Sequence, residues 1–171
     1  MIDHLPERLD LLATADAGRV LQGRIPLASL ERVVPVLNSG AGELQVYINL
    51  GKDPDGTHYL SGTIQGAVEL QCQRCLKPLS MPLDIDFRLG IVRSNEAASK
   101  LHERYEPLLV GSEPTRIAEI VADEVLLALP LVPVHGEDAQ CKALVTAYRP
   151  PESETRENPF AVLAGLKQKQ Q

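Results

Sequence analysis

The stretch LSGTIQGAVELQCQRCLKPLSMPLDIDFRLGI, residues 60–91, decides how this chain folds. Its first half places Leu60, Ile64, Val68, Leu70 and Cys72 on one parity, with Gly62 and Gly66 between them. After Cys75 the pattern restarts on odd numbers. Met81, Leu83, Ile85, Phe87, Leu89 and Ile91 are apolar, whereas Ser80, Asp84, Asp86 and Arg88 are polar. In an extended chain alternate side chains point to opposite faces, so each half reads as a long strand with one buried face. The glycines on that face point to close backbone approach or bulges. The Cys-x-x-Cys then falls at the turn of a hairpin.

The same period of two runs upstream through Leu44, Val46, Ile48 and Leu50, and GKDPDGT (51–57) supplies a turn. A meander of at least three antiparallel strands with one wet face follows, and its other face needs a cover. TRIAEIVADEVLLALP (115–130) provides one: Ile117, Ile120, Val121, Val125, Ala128 and Leu129 form a helical stripe opposite Glu119, Asp123 and Glu124, and Pro130 ends it. The expected fold is α+β, an antiparallel β-meander covered on one face by a helix, with a Cys-x-x-Cys knuckle at a hairpin tip and a flexible C-terminal tail. Residues 1–40 read as helical or irregular, with a helix over PLASLERVVPVL (26–37) carrying Leu27, Leu30, Val33, Val34 and Leu37 and bent or ended by Pro35. Residues 1–145 are expected to form one domain. The polar, proline-rich YRPPESETRENP (148–159) reads as a linker within a 146–171 tail, which closes on a short helix with Phe160, Leu163 and Leu166 on one side. Such a helix is marginal alone and calls for its own domain or a partner to dock on.

The net charge of −6 argues against a protein that coats nucleic acid through bulk positive potential. The charge is uneven, however: residues 71–104 carry six Lys and Arg against four Asp and Glu, while 105–145 carry two against seven. MIDHLPERLDLL lacks a signal-peptide pattern and no stretch approaches the roughly 20 apolar residues of a membrane span, so a cytoplasmic protein without a membrane partner is expected.

Three cysteines, an odd count, do not make a disulfide framework. Zinc takes thiolate and imidazole tetrahedrally, and Cys72 and Cys75 supply half of such a set. PVHGEDAQC (133–141) follows the expected helix and offers His135 and Cys141. If that helix runs back along the sheet, the four residues meet and hold one structural Zn2+. Two other readings stand beside this: ordinary turn thiols with a loop histidine, or a redox pair. The redox reading lacks the helix N-terminus that depresses a thiol pKa in thioredoxin-like sites. The chain has no G-x-S-x-G, P-loop, H-E-x-x-H or G-x-G-x-x-G. His4, His58 and His102, and the strand pair Asp84 and Asp86, read as surface residues, and no small-molecule substrate or catalytic residue is indicated.

LQCQRCLKPL (70–79), YEPLLV (105–110), IVADEVLLALPLVPVH (120–135) followed by Cys141, and NPFAVLAGLK (158–167), with LERV (30–33) upstream, resemble the YceD-like large ribosomal RNA subunit accumulation protein family. The resemblance implies a role in synthesis, processing or stability of bacterial large-subunit (23S) ribosomal RNA, with that RNA or a pre-ribosomal particle as partner and no enzymatic activity. Arg74, Lys77, Arg88 and Arg93 are then the candidates for RNA contact, since guanidinium forks suit phosphates and stack on bases. With four Tyr and two Phe the chain is poor in the aromatics of a base-stacking sheet. The rival reading is an adaptor that grips a ribosomal protein or processing enzyme through Phe160, Leu163 and Leu166. A third is a thiol oxidoreductase or hydrolase.

Overall fold

In the computed structural model, which describes residues 2–136 and 141–143, the elements follow in the order β1 (Ile2–His4), β2 (Arg8–Leu9), α1 (Leu11–Asp16), β3 (Val20–Pro26), β4 (Glu43–Lys52), β5 (His58–Gln71), β6 (Pro78–Val92), α2 (Asn95–Ala98), β7 (Glu106–Leu109), β8 (Thr115–Arg116) and α3 (Ile117–Ala128). The class is α+β. The chain divides into two compact units, residues 1–135 and 136–171. Of the second, Gly136 and a helical turn at 141–143 are described. The boundary expected after residue 145, the linker, and the helix bearing Phe160, Leu163 and Leu166 lie outside the described residues.

Six strands form one mixed sheet in the order β1-β3-β4-β5-β6-β7, and β2 pairs with β8 apart from it. From β3 to β6 each strand is antiparallel to the next, whereas β1 and β7 join the two edges in parallel. The alternation of residues 43–91 fixes the register. Leu50 faces Leu60, which faces Leu89, and Val46 faces Ile64, which faces Ile85, so apolar side chains line one face in rows. Leu44, Val46, Ile48, Leu50, Leu60 and Ile64 are all buried. Gly62 lies between Ile48 and Phe87 in its row. A Cβ there would come within 2.2 Å of the Tyr47 carbonyl oxygen and 2.9 Å of the Phe87 ring, so the close approach expected from the sequence demands glycine.

The β5–β6 ribbon outruns its neighbour. β4 pairs with β5 only as far as Gln65, while β5 and β6 stay paired from Tyr59↔Gly90 to Gln71↔Pro78. On the overhang Ser39 forms a bridge to Glu69, and the Asn38 N–H donates to the Glu69 carbonyl at 2.7 Å. This satisfies part of an edge that would otherwise present free backbone groups.

Ile117, Ile120, Val121, Ala122 and Val125 of α3 share one core cluster with the sheet's buried residues. Two details of the expected helix are corrected. Glu124, assigned to the wet side, is buried, and Ala128 is exposed. Position 124 lies seven residues after Ile117, two helical turns along the same side, so helical geometry carries it inward. The N-terminal forty residues also differ: they contribute β1, β2 and β3 to the sheets. Gly23 interrupts the Leu21–Ile25 alternation of β3, which hides the strand in the sequence. The helix expected over 26–37 is two 3-10 turns, Leu27–Ser29 and Val34–Val36, because Pro35 has no N–H to continue an α-helix. A spacing of three still buries Leu27, Leu30 and Val33.

Candidate metal centre and basic surface

The hairpin tip is a tight loop closed by its own backbone. The Cys72 N–H donates to the Lys77 carbonyl at 2.9 Å and the Leu76 N–H to the Cys72 carbonyl at 2.8 Å. Leu76 takes a left-handed φ of 59°, unusual for a residue with a Cβ, and leaves most of its side chain in solvent. The loop thereby turns both cysteine side chains to one side.

The chain that leaves α3 comes to this loop. The Gln73 N–H donates to the Pro133 carbonyl at 2.8 Å, and His135 Nε2 lies 3.1 Å from the Pro78 carbonyl. A carbonyl only accepts, so Nε2 carries the proton and Nδ1 presents its lone pair. That lone pair lies 3.4 Å from Cys75 Sγ. The ligand atoms of Cys72, Cys75, His135 and Cys141 all lie within 4.8 Å of one another. In a tetrahedral zinc site with Zn–S near 2.3 Å, neighbouring sulfurs are about 3.8 Å apart. Fixing a histidine tautomer through a backbone carbonyl is the usual outer support of such a site.

Electrostatics point the same way. Burial by itself pushes the Cys72 thiol up. The backbone N–H groups of Cys75, His135 and Arg74, together with the Cys75 side chain, outweigh it and bring the thiol down from 9.0 to about 5. Cys72 is therefore a thiolate at neutral pH, the form that ligates metal. Its residue is 0% exposed, and Cys141 is also buried.

The four basic candidates do not form one patch. Arg74 and Lys77 are exposed on the knuckle itself. Arg88 is exposed on β6, 11 residues beyond Lys77, or roughly 35 Å along an extended strand. Arg93 lies past the strand's end and is exposed. His58 pairs with Asp16 at 2.7 Å, the His102 ring accepts the Arg104 N–H at 3.2 Å, and Asp84 accepts from Gln65 at 3.0 Å, so each has an ordinary structural contact.

Two features escaped the sequence reading. Leu131, Val132 and Val134 are exposed in the segment leading to His135, a stretch whose burial the sequence pattern left open. At the opposite end of β6, Asp53 accepts hydrogen bonds from Arg104, Tyr105 and the Thr57 N–H. GKDPDGT signalled a turn there, but nothing in it announced a partner some fifty residues away.

A model of the family described as large ribosomal RNA subunit accumulation protein YceD matches residues 60–167. A Haemophilus influenzae protein described in the same words is 34% identical over 173 residues, which cover 96% of this chain and 97% of that protein. No solved structure matches. No helix among the described residues is long and apolar enough to cross a membrane.

Proposed function

The chain belongs to the YceD family of large ribosomal RNA subunit accumulation proteins, and from that premise we propose that it supports synthesis, processing or stability of large-subunit (23S) ribosomal RNA by binding, without catalysing a reaction. The convergence of Cys72, Cys75 and His135, with Cys141, carries this reading. Four donors fill a tetrahedral zinc shell and leave no position for substrate, as structural sites require. When bound, Zn2+ supplies a cross-link between the hairpin tip and the chain following α3. The protein's own groups do the rest: the Pro78 carbonyl orients His135, and the loop amides hold Cys72 as thiolate. The burial of Cys72 supports ligation over thiol exchange, which needs an accessible sulfur.

Arg74 and Lys77 project from this rigid loop and present two cations to phosphate or to an unpaired base of pre-ribosomal RNA. A rigid loop limits the side-chain freedom lost on binding. Arg93, past the far end of β6, stands apart from this pair of cations. The adaptor reading keeps one observation in its favour, the exposed Leu131, Val132 and Val134 beside the knuckle, which suit a ribosomal protein or processing factor better than RNA.

Tagged protein sedimented with ribosomal precursors separates the two. RNA contact at the knuckle is expected to give salt-sensitive association with large-subunit precursors that Arg74→Glu/Lys77→Glu abolishes. Association that survives both changes and is lost on deleting residues 158–171 would assign the contact to a protein partner instead.

A further inference from the structure

At the end of the sheet remote from the knuckle, the polar face holds a depression of about 370 Å³ lined by Asn49, Lys52, Tyr59, Ser61, Arg88 and Arg104, among others. Three cations face it. Arg104 is engaged with Asp53 and Asp55 at 2.6 and 3.2 Å, and its guanidinium lies 5.0 Å above the Tyr105 ring. Asp53, the acid that lines the depression, is occupied by Arg104, the Tyr105 hydroxyl and the Thr57 N–H. Arg88 has no ion pair or hydrogen bond among the described residues, and the charge of Lys52 is near enough to Asp16 to help lower that carboxyl. Arg88 therefore offers a guanidinium free of ion pairs among the described residues, beside Lys52, in a chain that is acidic as a whole. Beside them Tyr59, half-buried, stacks on Tyr105 with ring centroids 6.3 Å apart and an interplanar angle of 18°. The Asn49 amide donates to the Tyr59 hydroxyl at 3.4 Å, and Ser61 also lines the depression.

Two cations, a stacked tyrosine and a hydroxyl are the complement of one unpaired nucleotide: phosphate on the cations, base on or beside the aromatic pair, base edge or ribose on the polar groups. We propose that this depression binds an unpaired nucleotide of an RNA strand, as a second contact separate from the knuckle. The inference rests on the reading of the chain as an RNA-binding factor, and it adds where along the sheet a strand is held. An acidic peptide is the competing occupant, and it has no use for the tyrosine.

The test uses the full chain and a fluorescein-labelled single-stranded RNA 12-mer of mixed sequence containing 4-thiouridine. Lys52→Glu/Arg88→Glu is expected to weaken binding about tenfold or more and to reduce the slope of log affinity against log salt by about one per lost phosphate contact. Tyr59→Leu is expected to lower affinity by about fivefold or more and to leave that slope unchanged, the mark of lost stacking. Irradiation is expected to attach the thiouridine to a peptide containing Tyr59. Lys52 and Arg88 are both exposed, and Arg88 has no ion pair or hydrogen bond among the described residues, so their replacement leaves the fold intact. If the double variant binds like the parent while Arg74→Glu/Lys77→Glu abolishes binding, the depression is not a nucleotide site and the knuckle reading stands. If the parent binds no RNA, both readings fall, and binding of an acidic peptide that Lys52→Glu/Arg88→Glu abolishes would assign the depression to a protein segment instead.

Discussion

Glu124 lies two helical turns from Ile117 on the packed side of α3, and no cation among the described residues compensates its burial. Desolvation raises its carboxyl above the usual 4.5, and the nearby charges of Glu106 and Asp123 raise it further. A carboxyl with a raised folded pKa contributes most to stability below its unfolded value, and that contribution is lost as pH rises through the folded value. Glu124→Gln is therefore expected to raise the melting temperature at pH 7, with the gain shrinking as pH falls to about 4. Melting curves of parent and variant across that range check the sign. A gain that grows on acidification contradicts the assignment. The sequence assigned Glu124 to water because it is an acid, although its position in the 3.6-residue period said otherwise. Cys72, Cys75, His135 and Cys141, by contrast, were legible as a set, because the chain has three cysteines and zinc chemistry limits what completes them.

Among elements, β4, β5 and β6 were readable because their alternation runs long enough to outvote local exceptions. β3 was not, since Gly23 removes the middle term of its alternation. β7 pairs in parallel with β6, and its four residues carry no periodic signal of their own. The hairpin tip could be placed at a turn, but the backbone that forms it was invisible. Leu76 adopts a left-handed conformation that costs a residue with a Cβ about 1–2 kcal/mol, and its exposed side chain gains little burial in return. Leu76→Gly is expected to stabilise the domain by about 1 kcal/mol, offset in part by the freedom glycine gains in the unfolded chain. Urea midpoints measured with metal present decide it. A loss of stability on this change would mean that the Leu76 side chain is held by contacts which the exposed geometry does not include.

For the molecule as a whole, one long-range tie joins α3's exit to the hairpin tip, through Gln73 to Pro133 and His135 to Cys75 and Pro78. A metal ion joining residues 75 and 135 closes a loop of 60 residues. Treated as a chain-entropy constraint of the kind a disulfide imposes, that closure stabilises the folded state by about 4 kcal/mol. Stripping the metal with a chelator is expected to lower the melting temperature by roughly 10 °C. Cys72→Ser is expected to reproduce that drop, after which the chelator has little more effect. Calorimetry on protein purified without added zinc, with elemental analysis alongside, makes the measurement. Equal melting temperatures with and without chelator, in protein that contains no metal, would remove the cross-link. The separation of 60 residues also has a consequence in time. A nascent chain grows N-terminus first at about 5–20 residues per second, so roughly 3–12 s pass between synthesis of Cys75 and of His135. For that interval the nascent hairpin carries two thiols without His135 to join them, so a clasp between the two can close only after α3 has been made.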